Sequence, residues 1–180
     1  MPRLIAFLRA INVGGHNVKM DELRVLFESL GFTNVETFIA SGNIIFEAKP
    51  EKNRDLEKQI EAYLQKSLGY GVATFIRTNS EIAEIAWYKP FDEAKLRIAQ
   101  ALNVAFLAEP LQAEAQKTLM SLSTEIDEFH VHDREVYWLC QKKQSESAFS
   151  NTLFERKLKV QTTFRGWKTI LKLAAKYPPA

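Results

Sequence analysis

The chain has 180 residues, 46% hydrophobic and 26% charged, with a formal net charge of +2. Such a composition excludes a disordered or fibrous protein, and the length admits one domain or two small ones. The single cysteine, Cys140, excludes an intrachain disulfide and a two-cysteine metal site. No apolar run approaches the ~20 residues of a bilayer span and no basic-then-apolar leader opens the chain, so no membrane partner and a reducing, cytoplasmic location are expected. Charge is uneven: nine Lys/Arg face two Asp/Glu from Lys142 onward, whereas Glu81 to Glu135 holds eleven acids and five bases. A basic tail beside an acidic middle points to self-association or an acidic partner, unless the lysines simply solvate helix surfaces.

Leu4 to Arg9 reads as a first strand, apolar on both faces and therefore needing cover on both. The polar, glycine-bearing stretch Arg9 to Asn17 follows. A helix spans Met20 to Leu30, with Leu23, Leu26, Phe27 and Leu30 on one stripe, and Gly31 stops it. Val35 to Ala40 and Ile44 to Glu47 are short strands joined in a hairpin by Ser41-Gly42-Asn43. Asn53 is placed to cap a second helix striped by Leu56, Ile60, Tyr63, Leu64 and Leu68, which ends at Gly69-Tyr70-Gly71. A strand from Val72 to Arg77 completes β-α-β-β-α-β, the ferredoxin-like split unit.

Thr78 and Glu81 have capping-box spacing and open a third helix, which ends before Pro90. A linker is expected from Lys89 to Gln100. The same order then recurs: a strand at Asn103 to Ala108, a helix striped by Leu111, Ala115, Leu119 and Leu122, a hairpin of Ile126–Val131 and Glu135–Cys140 about Asp133-Arg134, a helix marked by Phe149, Leu153, Phe154 and Leu158, and a strand from Val160 to Phe164. Trp167, Ile170, Leu171 and Ala174 place a closing helix. The expected fold is α+β: two ferredoxin-like βαββαβ halves, each followed by an extra helix, with domains at 1–89 and 101–180. The repeat rests on pattern alone, without clear residue identity between the halves, and a single continuous sheet is the alternative.

In such a unit the first two strands run parallel with the third between them and antiparallel to both. The loop leaving strand one and the hairpin leaving strand two therefore share one end of the sheet, and the second helix climbs to it, so Arg9 to Asn17, Ser41-Gly42-Asn43 and Gly69-Tyr70-Gly71 should form one rim. This gathers Arg9, Asn12, Gly14, Gly15 and Asn17 with Ser41, Gly42 and Asn43 as a candidate ligand-binding rim. Glycine-freed backbone N–H groups beside a helix N-terminus suit an anion, plausibly phosphate-bearing. In the competing interpretation the glycines only supply turn geometry and the asparagines bond their own backbone. The loop lacks the Gly-Lys-Ser/Thr ending of a P-loop and does not spell G-x-G-x-x-G, so no ATP, NAD or other cofactor is implied.

Arg9-x-Ile11-Asn12-Val13-Gly14-Gly15-x-Asn17, Met20-x-x-Leu23-Arg24, Ser41-Gly42-Asn43-x-x-Phe46 and Arg165-x-Trp167-x-Thr169 together resemble the bacterial family called domain of unknown function 1697, over nearly the whole chain. The resemblance implies a small cytoplasmic protein of two ferredoxin-like halves and carries no established activity. The family's usual late block reads Arg-Asn-Trp-Asn-Thr; here Gly166 and Lys168 replace both asparagines, and upstream this chain has Ser147-Ala148-Phe149 instead of a serine followed by a basic residue and leucine. Arg165, Trp167 and Thr169 thus stand as a possible secondary site, and the first block as the principal one.

Other constellations are weaker. His130 and His132 alternate on one strand face beside Asp133, a zinc-like spacing with no completing ligand nearby in sequence, so no metal site is expected. Cys140, beside Trp138 and Leu139, reads as a buried hydrophobe. Arg165, Trp167 and Lys168 could stack on and neutralise a nucleic-acid strand, against core packing of Trp167 with Lys168, Lys172 and Lys176 solvated. Two functions compete: a small anionic ligand held at the first loop, or nucleic-acid association through the basic C-terminal segment. Whether any reaction is catalysed is left open; His16 is the loop's only near-neutral base and matches no motif position.

Overall fold

The computed structural model describes residues 1–39 and 42–180. Its elements run β1 (Arg3–Leu8), α1 (Met20–Ser29), β2 (Thr33–Thr37), β3 (Asn43–Glu47), α2 (Asn53–Leu68), β4 (Thr74–Thr78), α3 (Asn79–Trp87), α4 (Glu93–Ile98), β5 (Ala101–Phe106), α5 (Ala113–Ser121), β6 (Asp127–His132), β7 (Glu135–Cys140), α6 (Asn151–Leu158), β8 (Thr163–Gly166) and α7 (Trp167–Lys176). They form two four-stranded sheets, ordered β2-β3-β1-β4 and β6-β7-β5-β8, rather than one continuous sheet. Both orders are ferredoxin-like, and every pairing is antiparallel. The chain divides into two compact units, residues 1–83 with 178–180 and residues 84–177. Among the described residues no helix is long and apolar enough to cross a membrane.

In the N-terminal unit, Leu4, Ala6 and Leu8 of β1 face Leu23 and Phe27 of α1 and Leu56, Ile60 and Leu64 of α2 in one apolar core. The opposite face, with Ile5, Phe7, Ile45 and Phe75, is equally buried, as the doubly apolar strand requires. In the C-terminal unit, Ala105, Val136 and Trp138 pack against Leu119 of α5 and Phe154 of α6.

Several boundaries differ from the sequence reading for local reasons. Strand β2 starts at Thr33, not Val35, because Asn34 adopts φ 51 at a bulge and donates to Glu47 at 3.0 Å; Ile39, at φ 57, breaks the strand early. Helix α2 begins at Asn53 itself, after Lys52 and without a side-chain cap. Strand β4 starts at Thr74, two residues late. Strand β8 starts at Thr163, not Val160: Lys159 ends α6 in the left-handed region, and Thr162 is held by donating its hydroxyl to the Phe106 carbonyl at 2.8 Å. The stretch from Lys89 to Gln100 is not a plain linker but contains α4, none of whose residues is buried.

The pairing registers expose an internal correspondence that the sequence pattern hides. Ile5-Ala6-Phe7-Leu8 matches Val104-Ala105-Phe106-Leu107, and Arg77 lies opposite Ile5 as Arg165 lies opposite Val104. Each arginine donates to the carbonyl of the residue before it, Arg77 to Ile76 at 2.8 Å and Arg165 to Phe164 at 2.9 Å.

Edge strands β4 and β8 are closed the same way. The outward N–H groups of Ile76 and Thr74 donate to Glu57 and Glu61, one turn apart on α2, at 2.8 and 2.9 Å. Before β8, the Thr162 N–H donates to Glu155 of α6 at 3.1 Å. A carboxylate that satisfies an edge donor also blocks pairing with another chain. Glu57 is only 1% exposed; burial lifts its carboxyl above the ordinary value despite the Ile76 N–H and Arg54 beside it. Glu57→Ala strands a buried N–H and should cost about 1–3 kcal/mol, whereas Glu57→Gln, which still offers an acceptor, should cost less. Urea unfolding checks this: the midpoint falls in that order with the slope unchanged.

Candidate functional site

The rim of the N-terminal unit grows out of β1. At its last turn of pairing, the Leu8 N–H donates to the Gly42 carbonyl at 2.8 Å and the Arg9 N–H to the Ala73 carbonyl at 2.9 Å. The loop is thereby attached to the β2–β3 hairpin on one side and to the approach to β4 on the other. Ala10 turns through φ 52, and Ile11 drops into the core at 3% exposure. The Tyr70 hydroxyl, just past α2, donates to the Ile11 carbonyl at 2.9 Å, and its ring stacks on His16 with centroids 3.6 Å apart. Burial raises the Tyr70 hydroxyl above its ordinary value, and nearby Glu22 adds to this. Tyr70 remains a donor at neutral pH.

Between these anchors the loop stands clear of the unit. Gly14 and Gly15 both have left-handed φ, 69 and 85, and nothing lies within 4 Å of where their Cβ atoms would be. Both are exposed, and no protein acceptor takes either N–H among the described residues. Arg9 is half-buried at the loop's root, and Asn17 is exposed.

Other expected site residues hold the rim together. Asn12 accepts the Val18 N–H on Oδ1 at 2.7 Å, closing the loop across six residues. Asn43 is fully buried and donates to the Phe38 carbonyl at 2.9 Å inside the hairpin. A Cβ on Gly42 would meet Ile11 Cγ2 and Leu8 Cβ at 3.0 Å each, so only glycine lets the hairpin approach this closely. Ser41 lies outside the described residues. The topology places Gly69-Tyr70-Gly71 on this rim, but the sequence did not single out the Tyr70 side chain, whose bond to Ile11 and stacking on His16 appear only in the structure. The first turn of α1 is also less suited to an anion than expected. Its N-cap is Lys19 without a side-chain cap bond, and Asp21 and Glu22 already complement its dipole.

In the C-terminal unit Arg165 is buried, donating to Thr163 Oγ1 at 2.6 Å; burial alone pulls its guanidinium down to about 10, leaving it charged at neutral pH. Trp167 is half-buried with its ring 6.3 Å from that of Tyr137, Thr169 is half-buried, and Gly166 and Lys168 are exposed. Cys140 is buried, and burial pushes its thiol up.

His130 and His132 face Tyr88 rather than each other's ligand partner. His130 Nε2 lies 2.7 Å from the Tyr88 hydroxyl, and His132 stacks on the Tyr88 ring at 4.0 Å. No group of three His, Cys, Asp or Glu side chains converges among the described residues. Burial, then the neighbouring His132, lowers His130 below its ordinary 6.5. The unfolded chain therefore takes up this proton more readily, and the stability from neutral His130 is present above 6.5 and lost as pH falls below it. Melting temperature should drop between about pH 7.5 and 5.5, and the drop should shrink in His130→Gln.

The fold and rim place the protein in the α+β class with two ferredoxin-like units. Residues 1–137 match the family described as Protein of unknown function (DUF1697), and the chain belongs to that family. It is similar in structure to the conserved bacterial protein SP0830 from Streptococcus pneumoniae, with a TM-score of 0.72 and 24% identity over 97% of each chain, a likeness of fold. No curated protein matches.

Proposed function

We propose that this protein binds a small anionic, phosphate-bearing ligand at the loop between β1 and α1. The observation that carries the reading is the Gly14-Gly15 tip: two consecutive left-handed residues whose N–H groups no acceptor among the described residues claims, on a loop braced by Tyr70. Backbone donors already held in place lose little conformational freedom when an anion arrives. Arg9 contributes positive charge at the loop's root and Asn17 an exposed amide at its far side. Asn12, Gly42 and Asn43 act on the ligand indirectly, by fixing loop and hairpin. The loop supplies recognition rather than chemistry: its one histidine, His16, is stacked on the Tyr70 ring. A reducing, cytoplasmic setting belongs to the same reading and suits the buried thiol of Cys140.

The test is a thermal-shift screen of the full chain against nucleotides and phosphorylated metabolites. At least one compound should raise the melting temperature of the wild type, and Arg9→Ala and Gly15→Val should each cut that rise by more than half. Equal rises in all three proteins would contradict a site on this loop.

A further inference from the structure

A cavity of about 790 Å³ in the C-terminal unit opens where β8 gives way to α7, a size that suits a small organic molecule. The internal correspondence shows how its mouth differs from the matching place in the N-terminal unit. There, α3 follows β4 through a complete capping box: the Glu81 N–H donates to Thr78 Oγ1 at 3.1 Å, and the Thr78 N–H to Glu81 Oε2 at 2.7 Å. In α7, Gly166 takes the register of Thr78, lying opposite Asn103 as Thr78 lies opposite Leu4, and Thr169 stands where Glu81 does. The N-cap thus has no side chain, and the first turn of α7 has no acid. Among the described residues no cap side chain or first-turn acid compensates the donors and the positive dipole end of this helix, at the cavity wall formed by Trp167 and Lys168.

A second observation comes from Asn103, which lines the same cavity and is only 7% exposed. Its Nδ2 is buried and has no hydrogen-bond partner among the described residues. The amide ends beside the helix N-cap, its Oδ1 3.9 Å from where a Cβ on Gly166 would lie. Buried amide donors are seldom left unpaired, so Nδ2 is a donor awaiting an acceptor on a residue that lines the same cavity as the start of α7. Lys143 and Lys168 line the cavity as exposed cations without an ion-pair partner among the described residues, and no Asp or Glu lines it. Leu96, Leu102, Leu139 and the Trp167 indole supply apolar wall.

We propose that this cavity is a second ligand site, for an organic phosphate with a flat apolar body. The phosphate accepts from Asn103 Nδ2 and the first N–H groups of α7, Lys143 and Lys168 neutralise it, and the apolar body lies against Trp167 and the leucines. This site is independent of the loop in the N-terminal unit.

Titrating the full chain with inorganic phosphate and with phenyl phosphate, followed by amide NMR, tests it. Both probes should move the backbone signals of Trp167, Lys168 and Thr169 and the Asn103 side-chain amide, and phenyl phosphate should also move the Trp167 indole and bind about tenfold more tightly. Lys168→Glu, an exposed change, should weaken both probes about tenfold or more, and Asn103→Leu should abolish the response. If Asn103→Leu fails to fold, Lys168→Glu decides alone. Signals at Trp167 to Thr169 that stay still, or that move equally in wild type and Lys168→Glu, overturn the proposal. So do shifts confined to Gly14 and Gly15, which would leave the first site standing.

Discussion

Strand β1 is hydrogen-bonded along both edges and buried on both faces, and the candidate rim hangs from its end. A strand held on four sides cannot shift its register without moving Ile5, Phe7, Leu4, Ala6 and Leu8 out of their packing at once. The loop after it therefore starts from a fixed point, with Leu8 and Arg9 still bonded to the hairpin and to Ala73. Tyr70 supplies a further fixed point by bonding the Ile11 carbonyl and carrying His16 on its ring. Six exposed residues from Asn12 to Asn17 are then closed into one loop by the Asn12–Val18 bond and by a turn at Gly14-Gly15 in which the His16 N–H donates to the Val13 carbonyl at 3.4 Å.

The two units apply one design with different endings. Each has the same strand order, the same buried arginine opposite the central strand, and a helix carboxylate on an N–H at the edge-strand side. They part where the last strand meets the following helix. Thr78 and Glu81 satisfy that junction internally in the first unit, while Gly166 leaves it open beside Asn103 in the second. An internal repeat thus lets one copy keep a structural solution while the other presents the same donors to a cavity.

Much of the fold was legible because periodicity alone separates strands from helices here: the alternating two-faced run of β1, the stripe of α2 and the turn at Asp133 all read directly. The misplacements of β2 and β8 trace to Asn34, Ile39 and Lys159, non-glycine residues in left-handed conformations that no local pattern announces. The rim was legible as a neighbourhood, since topology brings the hairpin beside the first loop. The division of labour within it was not. Asn12 and Asn43 carry the same side chain that a ligand would want, and only their contacts with Val18 and Phe38 assign them to holding the rim. Gly69-Tyr70-Gly71 was legible as part of the rim, but the role of the Tyr70 hydroxyl was not, and neither was that of Asn103, because each matters through a partner, or lack of one, far away in sequence.

The central claim is that the Tyr70-braced glycine tip receives an anion. Its most direct measurement is an amide NMR titration of wild type and Tyr70→Phe with a phosphorylated compound that stabilises the wild type. The account predicts saturable shifts of the Gly14 and Gly15 amides in the wild type, with affinity weakened several-fold in Tyr70→Phe, which keeps the ring but loses the bond to Ile11. Gly14 and Gly15 signals that do not move while the compound binds elsewhere would contradict it.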